Sequence, residues 1–495
     1  MTATPAISRA DVGLRSERGP ILLAVMLSIG LVAIDTTILA TAVPSVVDDL
    51  GGFTQFPWLF SIYLLGQAVS VPIYSKLADQ YGRKPMMLVG VGIFLVGSLL
   101  CGLAWNMVSL IVFRALQGLG AGAVQPIGMT IVGDIYSVEE RAKVQGYLAS
   151  VWALASVVGP SLGGVFSDYV SWRWIFFVNL PIGAAALWMF VRKFEERVER
   201  APHRLDVLGS VLLSGGGVAL LLGLLEGGVR WSWSSGTSIG LFAASAALLA
   251  AFALVETRAA EPVLPLWVLR HRVILPAMLT SLVVGVLLIG LTSYIPLFAQ
   301  GVLGHGAVLS GFAVAALTLG WPLSAANAGR LYLSIGFRAT MVLGSLFGLA
   351  GALLLLTIDG NSSLVHVAVP CFVMGFGFGF AVAPSVIAAQ SSVPWQSRGV
   401  TTGATMFART VGSAVGIGVF GALVNAGVSN RLGHATQDLE HLDPSILEPA
   451  IHTTFVASAI VAVALVVVSL LMPRRVELEP RQRPGGRTGP VRHSG

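Results

Sequence analysis

The sequence predicts an all-α membrane protein: two six-helix bundles with two further helices inserted between them. Three observations carry this reading. Of the 495 residues, 55% are hydrophobic and only 11% charged, with a mean hydropathy of +0.82, whereas a soluble protein carries about 25% charge. Fourteen apolar runs reach the length needed to cross a bilayer. A pattern of glycine, leucine and arginine repeats along the chain. Gly329, Leu331, Gly336 and Arg338 fall 254 residues after Ser75, Leu77, Gly82 and Lys84, and Arg398, Gly403, Gly416 and Gly421 fall 257 after Arg141, Gly146, Gly159 and Gly164.

Residues 1–19 form a basic segment with Arg9, Arg15 and Arg18. The run 20–42 is too long for a signal-peptide core and no small-residue cleavage site follows it, so it is read as a retained helix. Runs 57–75, 86–105, 107–131, 145–166 and 174–192 complete a first bundle over 20–192. A linker and runs 206–225 and 237–255, the inserted pair, occupy 193–258. Runs 274–298, 308–328, 339–358, 364–388, 400–424 and 452–472 make the second bundle over 259–472, with an outer loop at 425–451. In lipid such runs must be helices, because each backbone polar group needs an internal partner. The tail 473–495 is rich in Pro, Gly and Arg and is expected to be disordered. It either meets anionic lipid headgroups or is simply solvated.

Basic residues set the orientation. With fourteen alternating helices, Arg18, Lys76, Arg83, Lys84, Arg141, Lys143, Arg192, Lys193, Arg258, Arg270, Arg272, Arg330, Arg338 and Arg398 share one side with both termini. Arg173, Arg230 and Arg431 lie on the other. Both termini are therefore expected in the cytoplasm. The net charge of +6 sits in loops and tails, so it is not a nucleic-acid footprint. Cys101 and Cys371 lie in apolar runs and imply neither a disulfide nor a metal framework. In the outer loop, His434 and His441 stand near Asp438, Glu440 and Asp443, a grouping that is not read as a metal site.

The motifs carry a family resemblance. SKLADQYGRKP, from Ser75 to Pro85, resembles the loop signature between the second and third helices of the major facilitator superfamily. Its second copy, GRLYLSIGFR, has Leu333 in place of Asp79. AIDTTILATAVP, with Asp35, Thr36, Thr37 and Pro44, resembles the helix-one motif of that superfamily's fourteen-helix drug:proton antiporters, the bacterial multidrug exporters. FRALQGLGAGAVQP, with Arg114 and Gln117, resembles the helix-four motif of proton-coupled members. ASVVGPSLGG, with Gly159, Pro160, Gly163 and Gly164, resembles the antiporter motif, although Ala155 replaces the family's earlier glycine and Ile417 replaces Pro160 in the second copy. WRWIFFVNLPIG and RTVGSAVG resemble its segments at helices six and thirteen. Close helix packing is the competing account of the glycines. The resemblance implies two parallel bundles related by an axis along the membrane normal, export of amphipathic drugs across a bacterial cytoplasmic membrane by a monomer, and a proton gradient in place of any cofactor. A dedicated antibiotic, siderophore or lipid exporter is the alternative, and a non-transporting sensor a remoter one.

Depth singles out Asp35. At 1.5 Å per residue it lies about 22 Å into helix one, and Arg114 about 10 Å into helix four from the opposite face, so both reach a similar level. A charge there costs several kcal/mol unless paired or hydrated. Asp35 is therefore the expected proton carrier and Arg114 its tuner; a purely structural helix contact is the alternative. The resemblance further implies a cytoplasmic gate of Asp79, Gly82, Arg83, Lys84 and Asp134, with Asp79 docked on the start of helix thirteen near Arg398. Solvated loop charges are the competing account. Tyr63, Gln67, Gln125, Trp152, Tyr294, Met374, Phe378, Phe407 and Arg409 are candidates for an aromatic, amphipathic substrate cavity. Arg409 either lines that cavity or pins helices together. Some family members carry an acid near its position for cationic drugs. No phosphate-binding glycine loop with Lys-Ser/Thr occurs, and no nucleophile–base pair stands out, so an enzyme or ATP-driven pump is not expected.

Overall fold

A computed structural model describes residues 12–51, 55, 58–196, 206–227, 230–259, 262, 265–305, 307–432 and 443–477. Fourteen helices among them are long and apolar enough to cross a membrane. They are α1 (Gly19–Leu50), α2 (Trp58–Tyr81), α3 (Arg83–Gly102), α4 (Met107–Ile135), α5 (Val138–Tyr169), α6 in two pieces (Trp174–Phe177 and Asn179–Lys193), α7 (Val207–Glu226), α8 (Gly236–Glu256), α9 (Ile274–Gly301), α10 (Ala307–Ile335), α11 (Phe337–Leu355), α12 (Leu364–Ser391), α13 (Arg398–Leu432) and α14 (Pro444–Leu471). No β-strand occurs among the described residues.

Local chemistry sets where several helices begin. Asn106 accepts the Ser109 amide at 2.7 Å and Ser137 accepts the Glu140 amide at 3.2 Å, each within a reciprocal capping box that satisfies first-turn donors of α4 and α5. Gly82 (φ 103°) and Gly336 (φ 88°) precede α3 and α11. This backbone region favours glycine, so the repeated signature keeps a glycine at both turns. Asp443 caps α14, and hydrogen bonds from Ser445 hold its carboxyl below the usual carboxylate range.

Helices α13 and α14 overrun the expected outer loop: 425–432 and 444–451 are helical. His434, Asp438, Glu440 and His441 lie outside the described residues, as do the N-terminal segment to 11 and the tail beyond 477.

Each bundle has its own apolar core. In the first, α1 packs on α5 and α6, and α4 lies against α2 and α3, around residues such as Val25, Phe94, Ile127 and Leu148. In the second, α9 packs on α13, and α12 lies against α10 and α11, around Leu287, Phe298, Phe378 and Phe455. The repeat thus extends from sequence to contacts, because α1–α5 and α9–α13 are equivalent pairs. Two seams join the bundles, α2 with α13 and α5 with α10. The inserted pair packs on itself, with Ser245 Oγ donating to the Gly216 carbonyl at 3.0 Å. Helix α7 touches both α2 and α13, so it covers the first seam.

Candidate functional site: a buried charge cluster and an inter-bundle tie

Asp35 lies inside the first bundle and is 1% exposed, as is Arg114. Arg114 Nη1 donates to Asp35 Oδ2 at 2.7 Å and to Gln117 Oε1 at 2.7 Å. The other carboxylate oxygen accepts Gln117 Nε2 at 2.8 Å and Asn179 Nδ2 at 3.1 Å. Ser98 Oγ accepts from both amides, at 3.2 and 2.9 Å, and donates to the Phe176 carbonyl at 2.9 Å. Arg114 also donates through Nε to the Leu59 carbonyl at 3.3 Å, and its guanidinium lies 4.1 Å from the centre of the Tyr63 ring. Five helices therefore contribute: α1, α2, α3, α4 and α6. The depth argument paired Asp35 with Arg114. It did not find Ser98 or Asn179, and it quoted Gln117 without giving it a partner. The available signal was a lone amide, Asn179, at the head of an otherwise apolar run.

A second cluster ties the bundles together where α2, α4, α12 and α13 end or begin. Asp79, in the last turn of α2, accepts the backbone N–H groups of Gly399 at 3.0 Å and Val400 at 2.8 Å. These are first-turn donors of α13, where the helix dipole favours an anion. Arg83 reaches four ways: to Asp79 Oδ1 at 2.7 Å, to Asp134 Oδ2 at 3.0 Å, to the Trp395 carbonyl at 2.8 Å and to the Ala78 carbonyl at 3.0 Å. Its guanidinium also lies 3.7 Å from the Trp395 ring centre. Arg398 closes the circuit on Asp134 Oδ1 at 3.2 Å. Lys84 turns away, donating to the carbonyls of Val191 and Phe194 at the end of α6. Glu196 caps α3 in return, accepting the Arg83 and Lys84 amides at 2.9 and 2.8 Å. Trp395 and Glu196 are the members of this cluster that sequence reasoning missed.

The matching seam, between α5 and α10, is held differently. There Tyr332 of α10 donates to the Val138 carbonyl at 3.0 Å. A methyl placed on Gly329 would lie 2.0 Å from Ala142 Cβ, so the backbones approach closely here, and Arg141 of α5 donates to Ser391 Oγ of the opposite bundle at 3.2 Å. Deeper in, Gln390 Nε2 donates to Thr402 Oγ1 at 2.7 Å, and Thr130 of the other bundle donates to the same hydroxyl at 3.3 Å.

The remaining expected residues are scattered. A Cβ on Gly159 would sit 2.0 Å from Thr37 Oγ1 of α1, and Thr37 donates to the Ala155 carbonyl at 3.0 Å, so this glycine permits the α1–α5 contact. Gly163 is buried, Gly164 has nothing within 4 Å of an added Cβ, and the side chain of Pro160 is outside the described residues. Met374 and Phe378 are fully buried in the second core. In this structure both serve as core packing residues. Tyr63 likewise belongs to the Asp35 cluster. Tyr294 stacks edge-on against Phe420, Phe407 packs beside the core at the start of α9, Trp152 is exposed and Gln67 is half-buried. Gln125 of α4 and Arg409 of α13 meet across the bundles, Arg409 Nη2 donating to Gln125 Oε1 at 3.2 Å.

The sequence profile of the Major Facilitator Superfamily matches residues 25–417. The chain belongs to this superfamily. It is 35% identical over 415 residues to multidrug resistance protein 3 of Bacillus subtilis, covering 84% of this chain and 81% of that one. It is 34% identical over 420 residues to the multidrug transporter protein MdtP of the same organism, covering 85% and 78%. The solved structure of the human organic anion transporter MFSD10 (TETRAN) superposes with a TM-score of 0.66, covering 92% of this chain and 99% of that one. At 14% identity that likeness speaks to the fold alone. The fold is a major facilitator fold with fourteen membrane-length helices, and the chain is a multi-pass membrane protein.

Proposed function

We propose that this chain is a proton-driven exporter of amphipathic small molecules, working by alternating access across the bacterial cytoplasmic membrane with both termini in the cytoplasm. The observation that carries the reading is the enclosed Asp35–Arg114 pair, held at 2.7 Å with both residues 1% exposed. A carboxylate at membrane depth is costly even when paired, and such residues mark proton and substrate pathways. Protonating Asp35 would leave Arg114 a buried cation without its counter-charge, a loss on the order of 3–5 kcal/mol. The bundle must then repack around Arg114, Gln117 and Asn179, and that repacking couples proton occupancy to shape. The printed names of the Bacillus relatives support drugs as cargo. The tie at Asp79 corresponds, under the expected orientation, to a cytoplasmic gate closed in an outward-facing state.

The test is uptake of a fluorescent drug-like dye into proteoliposomes under an imposed pH gradient. Wild-type protein is expected to drive dye movement only with the gradient. Asp35→Asn should reduce the driven component at least tenfold while still binding dye. Full driven transport by Asp35→Asn would sink the reading.

A further inference from the structure

We infer that the exporter's cargo-binding region recognises an anionic group, with Arg409 as the residue that receives it. This rests on the exporter reading and names the substrate class that reading leaves open. Arg409 stands eleven residues into α13, about 16 Å along its axis, and so deep within a core about 30 Å thick. Its side chain points across to the opposite bundle, where Nη2 meets Gln125 Oε1 at 3.2 Å. Gln125 is neutral, and both residues are half-buried. The backbone of α13 at this point lies directly on α9, since a methyl on Gly285 would come within 2.2 Å of the Arg409 carbonyl. The guanidinium is therefore held between the bundles.

The charge ledger at membrane depth is asymmetric. Asp35 is committed to Arg114, and Asp79 and Asp134 are committed to Arg83 and Arg398. No acidic side chain among the described residues pairs with Arg409. The deep part of the molecule therefore offers a cation with spare donors and offers no unpaired carboxylate among those three to receive a cationic cargo. A guanidinium presents five N–H donors in a fork that a carboxylate can meet with two parallel bonds and an opposite charge, whereas the Gln125 amide offers one neutral acceptor oxygen. A carboxylate-bearing amphiphile would outcompete the Gln125 amide for Arg409. Taking that place would replace a bond that joins the bundles in this state, so occupancy and bundle spacing would change together.

The experiment uses full-length protein in lipid nanodiscs without any gradient. The probe is a dansyl-labelled medium-chain fatty acid, compared with its own methyl ester and with the cationic dye rhodamine 6G, after subtraction of partitioning into empty nanodiscs. Wild-type protein is expected to bind the acid at least tenfold more tightly than the ester. Arg409→Gln should weaken acid binding at least tenfold and bring the acid-to-ester affinity ratio close to one, and Arg409→Lys should retain most of the preference. Equal affinity for acid and ester in wild-type protein would overturn the inference without need of a variant, and so would undiminished acid binding by Arg409→Gln. Acid preference with no gradient-driven transport would instead overturn the exporter reading alone.

Discussion

Asp35 illustrates how one carboxyl group is satisfied in an apolar interior. Three side chains donate to it, Arg114, Gln117 and Asn179, and each comes from a helix distant in sequence. Hydrogen bonds to a charged group contribute about 1.5–3 kcal/mol. Asn179→Leu should therefore cost about 2 kcal/mol, visible as a lower melting temperature of the purified protein, and should also slow gradient-driven transport. A variant that melts and transports like wild type would show that the Asn179 contact is idle. At this scale the sequence was informative in part. Asp35 and Arg114 announced themselves because a charge in an apolar run is conspicuous. Ser98 and Asn179 did not, since small polar residues occur in many membrane helices and nothing local indicates which way they face.

Among helices, the glycine-rich α5 separates packing from permissiveness. Gly159 meets Thr37 at a distance no side chain could share, while Gly164 faces open space. Gly159→Ala should destabilise the protein by about 1–3 kcal/mol through overpacking, and Gly164→Ala should be silent in melting and transport. A stable, active Gly159→Ala protein would show that α1 can retreat without cost. The second bundle uses the same device: a Cβ on Gly416 would lie 2.6 Å from Ile289 of α9. Helix positions were legible from composition, because hydrocarbon leaves a chain few options. Helix ends were less so. The run expected at 400–424 extends over Arg398–Leu432, since α13 continues past its apolar stretch. The alignment of the halves by offset was informative, because the same glycine precedes α3 and α11 and the same helix pairs touch.

For the molecule as a whole, the two seams are unequal. One is closed by Asp79 on the α13 N-terminus, Arg83, Asp134, Arg398 and the overlying α7. The other combines close backbone packing, the Tyr332 phenol and the Arg141–Ser391 hydrogen bond. Leu333 stands where the repeat would place a second aspartate and is 49% exposed, whereas Asp79 is buried. Asp79→Asn removes the charge that favours the α13 amides, so turnover should fall by about one to two orders of magnitude, in line with losing about 1.5–3 kcal/mol, while dye binding persists. Equal turnover in proteoliposomes would argue against a gating role.

Helix α4 carries Arg114 and Gln117 in the buried cluster, Gln125 opposite Arg409, and Asp134 in the tie between bundles. From first to last these side chains span twenty positions, about 30 Å of a single rod, interrupted by Pro126. Rods transmit rotation. If α4 turns to re-seat Arg114 after a proton arrives, Gln125 swings off its partner and Asp134 slides beneath two arginines in the same movement. Fuel, cargo and gate would then share one camshaft, with Pro126 as its candidate joint.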